Sequence, residues 1–172
     1  MRAAYPLLAV ALTLSACAAN TPADYQSSAF TRANYMAIDT LMQSLSSLHT
    51  NSPLLVATVS DIDRLQQSSR LGRLITEQIS TRLTQTGYPV AELRLRESVA
   101  MHEGEGEFVL SRDVRALSKQ HQAQLVIVGQ YAAASTHIYL TLKAISPSDN
   151  RVVAATNYLL PLNENTRALL AP

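Results

Sequence analysis

Several groups of side chains in this sequence are of types that could do chemistry, and their spacing decides which can act together. His49, His102, His121 and His137 would be metal ligands or general bases if they converged. No two of them stand in an HxH or HxxxH spacing, so solvated or locally hydrogen-bonded imidazoles are expected and no metal site. Glu103-Gly-Glu-Gly-Glu107 is a glycine-rich acidic loop. Its glycines would let backbone amides approach an anion, but three carboxylates repel one. A mobile acidic turn is the expectation, with a divalent-cation site as the alternative, since oxygen ligands suit calcium while the EF-hand spacing is missing. Ser15 and the pair Ser68-Ser69 lack the flanking glycines that expose a nucleophilic serine on a tight turn. No catalytic residue and no cofactor are expected.

The arginines offer contact chemistry instead. Arg70 and Arg73 fall one turn apart on a predicted helix, with Glu77 on the same face. Taken alone this is a solvated, salt-bridged face worth a few tenths of a kcal/mol. The functional alternative is a contact patch for a neighbouring protein, with Arg112 and Arg115 of a later helix as further candidate contact residues. Gly72 lies between the first two and costs about 1 kcal/mol against Ala in a helix. Another backbone should therefore come close there, either the sheet beneath or a partner above.

The one remaining reactive group is the thiol of Cys17, the only cysteine, which excludes a disulfide framework and a cysteine-rich zinc site. It follows a single positive charge at Arg2 and an apolar run from Leu7 to Leu14, far short of the ~20 residues a spanning helix needs. That is the pattern of an export signal. Leu14-Ser15-Ala16-Cys17 resembles the bacterial lipobox. The resemblance implies a diacylglyceryl thioether on Cys17, cleavage before it, and acylation (palmitate-like chains) of the new amine. The alternative is a plain secretory peptide with an incidental Cys. Several acyl chains anchor stably where one gives only marginal binding. Ala18, in place of the Asp that marks inner-membrane retention, implies the outer membrane, with the domain facing the periplasm.

At 172 residues with 47% apolar content the chain is long enough for one well-packed domain. A net charge of +1 argues against a nucleic-acid binder, which ordinarily carries a basic excess to neutralise phosphates. Loss of residues 1–16 removes Arg2 and leaves 13 basic against 13 acidic residues, a balanced surface. Eleven of those basic residues are Arg, which suits either an interface or a genomic base bias.

The elements that would position these groups follow from periodicity. Residues 17–29 are small and polar and read as a lipidated, flexible tether. Phe30, Ala33, Ala37, Leu41, Leu45 and Leu48 recur at helical steps and predict a first helix ending before Asn51-Ser52-Pro53. Residues 54–60 predict a buried strand. Ser68 or Ser69 caps a second helix to about Thr86, with Gly87 in the left-handed position that ends it. A strand over 88–95 completes a βαβ unit with parallel neighbours. Ser111 caps a helix over 112–120, Leu125–Val128 forms a central strand, and strands over 136–143 and 151–160 close an antiparallel meander around the turn Pro147–Asn150. The fold class is α/β: one domain over 30–162, a mixed sheet of about five strands with about three helices, and a frayed tail over 163–172.

Residues 54–98, the segment GEFVLSRDVRAL, the strand QLVIVGQYA and the final RVVAATNYLLP together resemble the FlgO domain of flagellar outer-membrane lipoproteins, over about residues 33–161. The most specific pieces are Ser69-Arg-Leu-Gly-Arg73 and Gly106–Asp113. The resemblance implies a non-enzymatic lipoprotein associated with the flagellar outer-membrane H and T rings, with FlgP and FlgT as partners, possible self-association and a role in motility. It also implies a fold like the sheet-and-helix domains of CsgG, LpoB and the N-terminal part of TolB. The alternatives from other classes are a periplasmic lipoprotein that regulates a peptidoglycan enzyme, and a cation sensor using the acidic loop.

Overall fold

The computed structural model describes residues 28–45, 51–65, 67–93 and 112–170. Cys17 with its lipobox, most of the tether and the acidic loop 103–107 lie outside the described residues. The elements in chain order are α1 (Ala29–Gln43), β1 (Leu54–Ala57), β2 (Ser60–Asp61), α2 (Arg70–Gln85), β3 (Val90–Leu93), α3 (Arg112–Gln120), β4 (Leu125–Ala133), β5 (His137–Ile145), β6 (Val152–Pro161) and α4 (Glu164–Leu170). The six strands make one mixed sheet in the order β3-β1-β4-β5-β6, with β2 pairing β4 beyond the end of β1. β1 runs parallel to β3 and β4, while β4, β5 and β6 are antiparallel neighbours. The α/β class, the βαβ unit and the terminal meander expected from periodicity are therefore present.

Alternation along the strands divides the core in two. Leu54 and Val56 face one side of the sheet with Ile127, Leu140 and Leu142, beneath Ile38 and Leu41 of α1 and Leu71, Ile75, Ile79 and Leu83 of α2. Leu55 and Ala57 face the other side with Val126, Val128 and Ile145, beneath Val114 of α3. A helical face with apolar residues every three or four positions has to be buried against such a surface, and this burial supplies most of a helix's stability in water. Local caps fix the ends: Ser28 accepts the amide of Thr31 at 3.1 Å, and Ser69 accepts that of Gly72 at 3.2 Å. Gly87 takes φ +91° after α2, a conformation that costs glycine nothing.

Three expectations are corrected. The single strand over 54–60 is interrupted at Thr58 and Val59. β4 does not stop at Gly129 but runs through it to Ala133, because the missing side chain makes room for Val59, whose Cγ2 would lie 2.7 Å from a Cβ placed there. The frayed tail is instead helix α4, begun by a reciprocal pair in which Asn163 Oδ1 accepts the Thr166 amide and Thr166 Oγ1 accepts the Asn163 amide. Thr166 is buried, and Leu169 and Leu170 pack against the larger core.

Candidate interaction site

The break between β1 and β2 is where α2 meets the sheet. Val59 turns its backbone groups away from the strand ladder: its amide donates to Thr76 Oγ1 at 2.9 Å, and its carbonyl accepts from Ser68 Oγ at 2.7 Å. Thr76 Oγ1 in turn donates to the Gly72 carbonyl at 2.8 Å. A Cβ on Gly72 would lie 2.2 Å from Val59 O, which no side chain can occupy. The close approach expected at Gly72 is therefore to the sheet. Ser68 and Ser69 have their hydroxyls committed to this docking and to the helix cap.

Beside the docking point lies an open cleft of about 290 Å³, lined in part by Asp61, Arg64, Gln67, Ser69, Tyr131 and Leu170. The loop forming one wall is bonded internally. Asp61 Oδ1 accepts the Asp63 amide at 2.9 Å, its other oxygen lies 3.5 Å from Arg64, and the Ile62 amide donates to Tyr131 O at 2.9 Å. Arg70 and Arg73 stand exposed on the first turn of α2 next to this wall, with Glu77 and the 37% exposed Leu74 on the same face. Arg73 donates to the Ser68 carbonyl at 3.0 Å, so it is held rather than freely solvated. Neither arginine forms an ion pair among the described residues.

Arg112 and Arg115 are on α3, across the sheet from α2. Arg115 and Lys119 line a separate cleft of about 360 Å³ against Pro147 and Ser148. The pairing Val126 to Ile145 puts that turn at the start of β4, the opposite end of the sheet from the α2 docking point. His121 and His137 are both exposed, and His137 Nδ1 lies 2.9 Å from Thr136 Oγ1. No group of three or more metal-ligating side chains occurs among the described residues.

Sequence reading missed the remaining structure around α2. Asp39 of α1 and Arg82 of α2 form a two-point ion pair at 2.8 and 2.6 Å, with the guanidinium 5.3 Å from the Tyr35 ring centre. The hydrogen bonds to Asp39 raise the Arg82 pKa further above its ordinary value, more than partial burial lowers it. Buried Asn34 adds a bond to Gln78 across the same helix pair. No spacing rule links residues 43 positions apart. Asn163-x-x-Thr166, by contrast, is a local capping signal from which α4, and with it the cleft residue Leu170, could have been read.

Sheet order, helix placement and the strand break define a small mixed α/β domain. It shares its fold with the C-terminal domains of LpoB from Salmonella enterica (TM-score 0.56, 14% identity, 77% of this chain and 98% of that chain) and from Escherichia coli (TM-score 0.55, 12% identity, the same coverage). The chain belongs to the FlgO protein family, whose model matches residues 35–165. No curated protein matches it.

Proposed function

We propose that this chain is a non-enzymatic lipoprotein of the outer membrane, anchored through Cys17, that serves as a component or assembly factor of the flagellar outer-membrane ring. The observation that carries the reading is the family match, which runs from inside α1 to the start of α4 and so takes in the whole sheet. The chemistry agrees with a contact role: the Ser68 and Ser69 hydroxyls beside the cleft are tied up in helix docking, and Arg64 and Gln67 are exposed on its wall. The arginine face of α2 is the proposed contact for a neighbouring ring protein of the FlgP or FlgT kind.

A strain lacking residues 18–172 is expected to swim more slowly than its parent, measured by cell tracking. Unchanged swimming would contradict the proposal. The second reading, a lipoprotein that regulates a peptidoglycan enzyme, is favoured by the fold shared with the LpoB domains over nearly all of their length. It predicts sensitivity to cell-wall stress with normal motility, and recovery of a peptidoglycan synthase but no flagellar protein in a pull-down.

A further inference from the structure

The two edges of the sheet differ in kind. Glu92 on β3 is exposed, and a charge is a usual protection of an edge. β6 has ten residues from Val152 to Pro161, none of them Asp, Glu, Lys or Arg, and among the described residues it pairs on one side only, with β5. α1 covers one face of β6 above Ala154 and Leu160. Among the described residues nothing covers the other face: Leu159 is 50% exposed, its neighbour Tyr139 on β5 54%, and Val152 and Val153 45% and 43%. Four of the seven exposed large apolar side chains among the described residues thus lie on this one hairpin.

The strand also carries its larger apolar residues toward both ends of an uncharged centre. Around Thr156, Val-Val-Ala-Ala precedes and Asn-Tyr-Leu-Leu follows. If two β6 strands pair antiparallel about a two-fold axis at Thr156, Val153 meets Leu159 of the second copy, Ala155 meets Asn157, and the two Thr156 residues meet each other. Val153 then lies against Leu159, threonine against threonine, Ala155 beside the uncharged Asn157, and no charge is trapped. An isologous contact requires such self-complementarity, and an uncharged strand gives nothing for a charged partner to read. We infer that β6 is a homotypic docking edge, joining two copies of this chain into one continuous sheet through antiparallel β6 pairing centred on Thr156.

The contact is small. A strip ~34 Å long and about one side chain wide falls short of the ~800 Å² per partner of a standard interface, so pairing needs a high local concentration of copies. Crowding on a membrane would supply it; this part of the inference rests on the anchored reading above, whereas the edge and its register do not.

Disulfide trapping tests it. Ala155→Cys and Asn157→Cys, both at exposed positions, are made in full-length chains carrying different tags. The two are co-expressed in cells and also mixed after purification at rising concentration, with melting curves confirming that each is folded. The expected result is a disulfide dimer between the two variants in both settings, several-fold above Ala155→Cys alone, above Glu92→Cys on the opposite edge and above the background from Cys17. Absence of that preference in the purified chain at the highest concentration would overturn the inference. So would trapping of a different polypeptide on β6 in cells, which would give the edge to another partner. A dimer in the purified chain but not in cells would keep the interface and contradict the anchored crowding instead.

Discussion

Gly72 is the position on which the arrangement around the cleft most depends. Placing a methyl group 2.2 Å from the Val59 carbonyl oxygen forces α2 off the strand break, an overpacking cost of about 1–3 kcal/mol. Gly72→Ala is therefore expected to lower the urea midpoint, even though alanine favours helices; an unchanged or raised midpoint would contradict the close approach. Tyr158 carries the opposite case. Its hydroxyl is buried and finds no partner among the described residues, and burial pushes its pKa well above the ordinary 10.0. The folded state keeps the phenol neutral, so this contribution to stability is complete below pH 10.0 and is lost as rising pH ionises the unfolded chain. Tyr158→Phe is expected to raise stability by about 1 kcal/mol and to flatten the decline above pH 10.0, read from denaturant unfolding at several pH values. For the contact surface, Arg70→Glu with Arg73→Glu is expected to slow swimming while leaving lipidation intact, because both side chains are exposed. Unchanged swimming would remove this pair from the proposed interface.

Helices α1 and α2 are joined by chemistry that no local pattern announces. The ion pair of Arg82 with Asp39 is about two-thirds buried and bidentate. Asp39→Asn is expected to cost less than about 1 kcal/mol, with the loss shrinking as salt is added, because pairs this exposed are screened. A loss of several kcal/mol that ignores salt would show the pair acts as a buried one. Elements governed by short-range rules were legible in the sequence. The Ser69 cap, the apolar face Leu71-Leu74-Ile75-Ile79-Leu83, of which Leu74 alone turns outward, and Gly87 mark both ends and the inner face of α2, and the alternation from His137 to Lys143 marks β5. What escaped depends on contacts distant in sequence. The break at Thr58 and Val59 exists because Thr76 and Ser68 capture the Val59 backbone groups, and β4 continues through Gly129 because Val59 fills the space there. The cleft combines residues from a loop, β4 and α4, so Arg70 and Arg73 could be named but their neighbours Asp61, Tyr131 and Leu170 could not. That Arg112 and Arg115 lie across the sheet from them was not legible either, because sequence periodicity places residues on a face of a helix but not on a side of the sheet.

Among the described residues, helices cover both faces of the central strands, and two surfaces stand as proposed contacts: the α2 end with its arginines and cleft, and the exposed β5–β6 hairpin. The first lies beside the loop that follows β2 and the second at the β6 edge, so a chain held by one could still present the other. Such an arrangement suits weak, repeated contacts among tethered copies, since tethering raises the effective concentration of every contact at once. On the proposed reading, the Cys17 anchor turns a small domain with modest interfaces into a ring component. The most direct measurement is therefore swimming speed, with the membrane fraction of the protein followed alongside, in a flagellated strain whose only copy carries Cys17→Ser. The account predicts that the protein leaves the outer membrane and that swimming falls to the level of the strain lacking residues 18–172. Swimming at the parental speed with the protein lost from the membrane would contradict it.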